Sequence, residues 1–129
     1  MNPYMSPWGK IDWMETLAPG IDMIGVGGHG GIMVSREASF MLTPSARKYG
    51  HWQGGYLCFE AYAEENIVLR ELLDQKLWHI PDRIKDLKGF EADIDHRIQS
   101  NYPEYWKSRE KRQSFRAKKN CSRSGTPQR

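Results

Sequence analysis

The sequence predicts an α+β fold: a small antiparallel sheet covered by helices, then a helical C-terminal half ending in a basic tail. Three observations carry this reading. Two runs of strand formers, Ile21-Asp22-Met23-Ile24 and Ile32-Met33-Val34, flank a glycine-rich bend. Leu69, Leu72, Leu73 and Leu77 recur at helical spacing, with charged residues filling much of the remaining surface. The charge is divided unevenly along the chain, which separates a body from an extension.

That division is sharp. Residues 1–106 hold ten Lys/Arg and fifteen Asp/Glu, a net of −5, whereas residues 107–129 hold nine Lys/Arg and one acid, a net of +8. The expected organisation is a single globular domain over residues 1–106 and a basic extension over 107–129. A mildly acidic body with a basic tail points to a polyanionic partner or an acidic protein surface, and argues against the whole chain acting as an acidic DNA mimic. The 129 residues, 39% hydrophobic with five tryptophans, suffice for one modest core. No apolar run approaches the ~18–20 residues of a membrane span. Met1-Asn2-Pro3-Tyr4-Met5 has no basic or apolar leader character, so no secretion signal is expected. Cys58 and Cys121 lie far apart and suggest no disulfide framework. A reducing, cytoplasmic setting fits these features.

In chain order, Ser6-Pro7-Trp8-Gly9 reads as a helix start or a tight turn. Lys10 to Leu17 reads as one or two helical turns with Trp13 and Leu17 on one face, stopped by Ala18-Pro19-Gly20. A hairpin follows, with His29 at its tip or at a tight bend, enclosed by Gly27, Gly28, Gly30 and Gly31. Thr43-Pro44-Ser45-Ala46-Arg47-Lys48-Tyr49-Gly50 is a short helix with Thr43 as cap and Gly50 as stop. His51-Trp52-Gln53-Gly54-Gly55 is a second glycine-bearing loop before a strand at Tyr56-Leu57-Cys58-Phe59. The sheet is thus expected near 21–26, 31–35 and 56–59. The longest helix is expected from Glu60 to about Leu77, ending before Ile80-Pro81. A helix from Pro81-Asp82 carries Ile84 and Leu87, Gly89 interrupts it, and Phe90, Ile94 and Ile98 continue at four-residue steps. A third helical start lies at Pro103-Glu104. Disorder is expected from Asn120 to Arg129.

Pro7-Trp8-Gly9, Ala18-Pro19-Gly20-Ile21 and His29-Gly30-Gly31-Ile32, with Ser35 beyond, together with the Tyr56–Leu73 region, resemble a small domain family of unknown function. Its members occur in bacterial, plasmid and phage proteins, and the resemblance covers about residues 6–75. It implies a mobile-element setting, in which small proteins often counter host defence, and it supplies no activity. Members carry a denser acidic cluster where this chain reads Phe59-Glu60-Ala61-Tyr62. Ala61 and Tyr62 therefore weigh against a metal role for those acids here.

Two constellations carry chemistry. In the first, His29 serves as general base, with Glu60, Glu64, Glu65 or His51 orienting the ring, and the amides of Gly28, Gly30 and Gly31 hold an oxyanion or a phosphate. The plainer alternative is a flexible turn with a solvated His29. The Gly-x-Ser-x-Gly nucleophile motif and the zinc spacings are absent, so neither a lipase-like enzyme nor a metal site is expected. In the second, Arg109, Lys111, Arg112, Arg116, Lys118 and Lys119, interleaved with Trp106 and Phe115, suit phosphate contact plus stacking. Its alternative is a tail that aids solubility or docks on an acidic protein.

The preferred expectation is a non-enzymatic protein of phage or plasmid type. It would bind and inhibit a nucleic-acid-associated host defence nuclease or ribonucleoprotein, of the anti-CRISPR or anti-restriction kind. The basic tail would touch RNA or DNA, and residues Gly28–Gly31 would form a contact element. No cofactor, metal or membrane enters this reading. The alternative is a small hydrolase or phosphate-handling enzyme using His29.

Overall fold

The computed structural model describes the backbone of residues 5–125 and the side chains of residues 6–116. A two-stranded hairpin, β1 (Met5–Ser6) and β2 (Gly9–Lys10), precedes the main sheet. Five antiparallel strands follow: β3 (Trp13–Ala18), β4 (Ile21–Val26), β5 (His29–Val34), β6 (His51–Gln53) and β7 (Tyr56–Glu60). Their spatial order is β3-β4-β5-β7-β6, which puts β5 at the centre. A 3-10 turn (Ala38–Met41) and helix α1 (Pro44–Arg47) link β5 to β6. Helices α2 (Glu65–Gln75), α3 (Leu87–Asn101) and α4 (Pro103–Gly125) complete the fold. The α+β expectation therefore holds, with a larger sheet than the sequence suggests.

The core forms where alternate residues of the sheet meet the helices. Ile21, Ile32, Val34, Leu57 and Phe59 pack in one cluster with Ile67, Val68 and Leu72 of α2, Ile94 and Ile98 of α3, and Tyr105 of α4. Ile24, Met33 and Cys58 form a second, smaller cluster with Trp8 and Ile11 against it. Burial pushes the Cys58 thiol up to about 11.

Several local expectations are corrected. Residues 13–18 are a strand, not helical turns. A separation of four, as between Trp13 and Leu17, keeps two residues on one side of a strand as well as of a helix. Here the pairing partners decide: Trp13 lies opposite Gly25 and Thr16 opposite Asp22. Arg83 adds a two-pronged bond to Glu15, at 2.6 and 2.9 Å. Ser6-Pro7-Trp8-Gly9 takes the turn form, the Ser6 hydroxyl donating to the Gly9 carbonyl at 2.9 Å. His51–Gln53 is an edge strand where a loop is expected.

The helix expected from Glu60 begins at Glu65, because residues 61–64 form a turn in which Tyr62 has φ +62°. Glu64 accepts from the Glu60 amide and Glu65 from the Tyr62 amide. No helix starts at Pro81. Asp86 caps α3 by accepting from the Gly89 amide at 3.1 Å, so Gly89 lies within the first turn and does not break it. Helix α4 runs on to Gly125, past the point where disorder is expected, and residues 126–129 lie outside the described residues. No helix among the described residues is long and apolar enough to cross a membrane.

The three long helices are joined through charged residues of α2. The Arg70 guanidinium is nearly buried and donates to Asp74, Glu91 and Asp95, the last two on α3, at 3.1, 2.7 and 2.8 Å. Glu71 is 1% exposed. Its carboxylate accepts from the Thr43 amide (2.7 Å), the Thr43 hydroxyl (2.9 Å), the Tyr105 hydroxyl (2.6 Å) and Arg112 (3.4 Å). Burial, then the adjacent Glu71 charge, hold the Tyr105 phenol protonated, so it remains a donor.

Glu71→Ala strands these donors without their acceptor. It should cost about 3–5 kcal/mol in urea unfolding, and Tyr105→Phe about 1.5–3 kcal/mol. A loss below about 1 kcal/mol for Glu71→Ala would show that the carboxylate does not hold this junction.

Candidate functional site

His29 is the first residue of β5 and pairs with Val26, so the hairpin tip is Gly27-Gly28 and not His29. Its side chain is exposed, and no hydrogen bond joins it to any other of the described residues. Glu60 lies opposite Gly31 in the β5–β7 ladder. Glu64 is committed elsewhere: it accepts from the Glu60 amide and, at 3.2 Å, from the Tyr102 hydroxyl. Burial, with Glu64 next, pushes that Tyr102 phenol up to about 12. His51 sits opposite Cys58 on the edge strand. The structure thus forms no bonded pair of His29 with Glu60, Glu64 or His51.

The glycines are accounted for by packing. Gly30 has φ +126°, and a Cβ there would run into the Ile24 carbonyl oxygen. At Gly31 it would meet the Phe59 carbonyl oxygen. Gly31 pairs with Ile24 on one side and Glu60 on the other, and the Gly30 carbonyl accepts from Ala61. Two neighbouring strands therefore crowd against β5 at this point. The Trp13 indole occupies the space over Gly25 in the same way.

A shallow cleft of about 300 Å³ does open beside the hairpin. Trp13, Gly25, Gly28, His29, Tyr62 and Glu65 line it. Glu65 is thus the carboxylate that shares a cleft with His29. Burial raises its pKa, opposed by the Tyr62 amide and the Arg97 charge. Among the described residues no group of three His, Cys, Asp or Glu side chains is placed to hold a metal ion.

The basic candidates divide into two sets. Arg109 grips Asp74 with two bonds, at 2.7 and 2.9 Å, and its guanidinium lies 4.7 Å from the Trp106 ring centre. Arg112 donates to Ser45 and Glu71. Trp106, Arg109 and Arg112 therefore tie α4 to the body and do not form a free basic face. Lys111, Phe115 and Arg116 are exposed. The side chains of Lys118, Lys119 and Cys121 lie outside the described residues. Helix α4 passes through position 106 without a break. The acids that hold Arg109 and Arg112 sit on α2, in a charged stretch whose sequence reads as a solvated face.

Two variants separate a packing role of the glycines from a ligand role. Gly30→Ala should destabilise by at least about 2 kcal/mol. Gly28→Ala, with open space around its Cβ, should stay within about 0.5 kcal/mol of the parent in chemical unfolding. Equal effects would contradict the packing account. Glu65 gives a pH prediction. Its folded pKa lies above the ordinary value, so its stabilisation is fully present below the ordinary value and is lost as pH rises through the elevated one. Glu65→Gln should therefore melt higher than the parent above about pH 7 and gain nothing below about pH 4. A gain that does not vary with pH would refute this.

Comparison with curated proteins and with solved structures finds no match. One family model does match, over residues 1–125, well past the 6–75 stretch where the motifs lie, and it includes the α4 segment that the ion pairs fasten to the body. The chain therefore belongs to the family described as a domain of unknown function, DUF7007.

Proposed function

We propose that this chain is a non-catalytic binding protein of phage or plasmid type. It docks on a nucleic-acid-associated host defence complex, of the anti-CRISPR or anti-restriction kind, and blocks it in the host cytoplasm. The observation that carries the reading is the division of charge in α4. Asp74 and Glu71 anchor Arg109 and Arg112, while Lys111 and Arg116 on the same helix face solvent. A helix so fastened presents its outer cations on a rigid rod, which suits electrostatic steering onto a polyanionic assembly. The mobile-element setting rests on the Pro-Trp-Gly and His-Gly-Gly elements.

Deleting the whole tail would be a poor test, because it removes Arg109 and Arg112 from the fold. The informative variant is the double charge reversal Lys111→Glu/Arg116→Glu, with His29→Ala as its counterpart. Full-length protein is used as bait in host lysate, with and without nuclease treatment. The parent and His29→Ala should recover a defined nuclease or ribonucleoprotein in near-equimolar amount. The double variant should lose at least about tenfold at physiological salt. Recovery of nothing specific, or loss of function in His29→Ala alone, would transfer the role to a His29-based enzyme.

A further inference from the structure

The exposed aromatic residues of the body suggest a second surface. Phe40, in the 3-10 turn, is 75% exposed, and Trp52, on the edge strand β6, is 56% exposed. Neither belongs to a core cluster. Both line a cleft of about 520 Å³ with Arg36, Ser39, Arg47 and Gly55. Phe40 also lines the cleft of about 380 Å³ that holds Arg109, Arg112 and Arg116 of α4. Phe40 is common to the lining of both clefts.

The cations along this path are held in place or free to engage. Arg47 donates to the Leu42 and Ser39 carbonyls, at 2.9 and 3.4 Å, and its guanidinium lies 5.9 Å from the Phe40 ring centre. Arg36 and Arg116 are exposed and make no side-chain bond to other described residues. The acids in the lining, Asp74 and Glu71, already bind Arg109 and Arg112. Glu37 lines neither cleft; it lies in an adjoining hollow that shares Met41 with the α4 cleft. The unneutralised charge along the path is therefore positive.

We infer that the two clefts that share Phe40 bind single-stranded nucleic acid, with Trp52 and Phe40 stacking on bases and Arg36, Arg47 and Arg116 meeting phosphates. Two exposed rings and three guanidinium groups in one pair of clefts supply both kinds of contact a single strand takes, stacking for its bases and cations for its phosphates. A duplex keeps its base faces stacked inside and offers nothing to the two rings. An acidic protein surface would also engage arginines and rings, and competition by poly-glutamate separates that case from the inference. The inference rests on the proposed function only in that a nucleic-acid-associated complex supplies unpaired strands. Its test needs no host partner.

The test is fluorescence anisotropy with labelled oligo-dT and oligo-U of roughly 16 nucleotides, and a duplex of equal length, in about 50 and about 200 mM salt. The full chain should bind single strands more tightly than duplex; the dT and U arms tell whether DNA or RNA is preferred. Trp52→Ala and Phe40→Ala should each weaken binding about tenfold or more with an unchanged salt slope. Arg36→Ala should reduce that slope. The two rings lie on different elements, so a folding defect in one variant leaves the other as the test. Three results would each overturn the inference: no binding by the parent, binding indifferent to both rings, or competition by poly-glutamate as strong as by unlabelled oligonucleotide. A host complex captured despite such a result would leave the proposed function standing. Oligonucleotide binding without a captured complex would leave the inference standing.

Discussion

The arrangement of the helices depends on one burial: the Glu71 carboxylate, closed inside the protein by donors from two other segments. Thr43 belongs to the link after β5, Tyr105 and Arg112 to α4, and Glu71 itself to α2. An ionised carboxylate out of water is tolerable only when its lone pairs are filled, and four donors fill them here. This arrangement has consequences for specificity more than for raw stability. An apolar side chain in place of Glu71 would pack α4 in several registers, whereas the carboxylate accepts only one. The preceding residue, Arg70, repeats the device toward α3. Burial opposes its charge, and the carboxylates of Asp95, Glu91 and Asp74 outweigh that opposition.

This explains why part of the fold is legible in the sequence and part is not. The hairpin of β4 and β5, the Thr43-capped helix, the strand at Tyr56–Glu60 and the helical second half follow from glycine, proline, cap and leucine positions. These are local signals. Arg70, Glu71 and Asp74 read as the solvated side of an amphipathic helix, because nothing nearby in sequence reveals Arg109, Arg112 or Asp95 as partners. The separation of a buried ion network from a wet face is a tertiary fact. Strand β3 was hidden for a related reason: a four-residue spacing belongs to both periods, and only the strand opposite it resolves the choice.

The candidate site divides along the same line. The sequence singles out His29 because glycines surround it, and a glycine run signals unusual backbone without saying what imposes it. At Gly30 and Gly31 the cause is crowding by the Ile24 and Phe59 carbonyls. The unusual backbone serves the central strand. In the cleft beside it the Trp13 indole lies over Gly25 and Gly28 is open, and of the candidate carboxylates Glu60, Glu64 and Glu65 only Glu65 lines it. Phe40 and Trp52 carry no motif, and only the burial pattern distinguishes an exposed ring from a core ring.

Charge arithmetic alone misjudges the C-terminal extension for the same physical reason. A net of +8 over 107–129 suggests a uniformly attractive tail. Two of its arginines are neutralised by acids of the body, which lowers both the excess positive charge at α4 and the excess negative charge of the body. Attraction to a polyanion then depends less on total charge than on which cations are left over and what lies beside them. Arg116 shares one cleft with Phe40, and Phe40 shares another with Arg47, Arg36 and Trp52. A screened point charge acts over roughly 8 Å at physiological salt. Cations held on α4, on α1 and in the turn at Arg36, beside two exposed rings, are what the proposed single-stranded polynucleotide would engage.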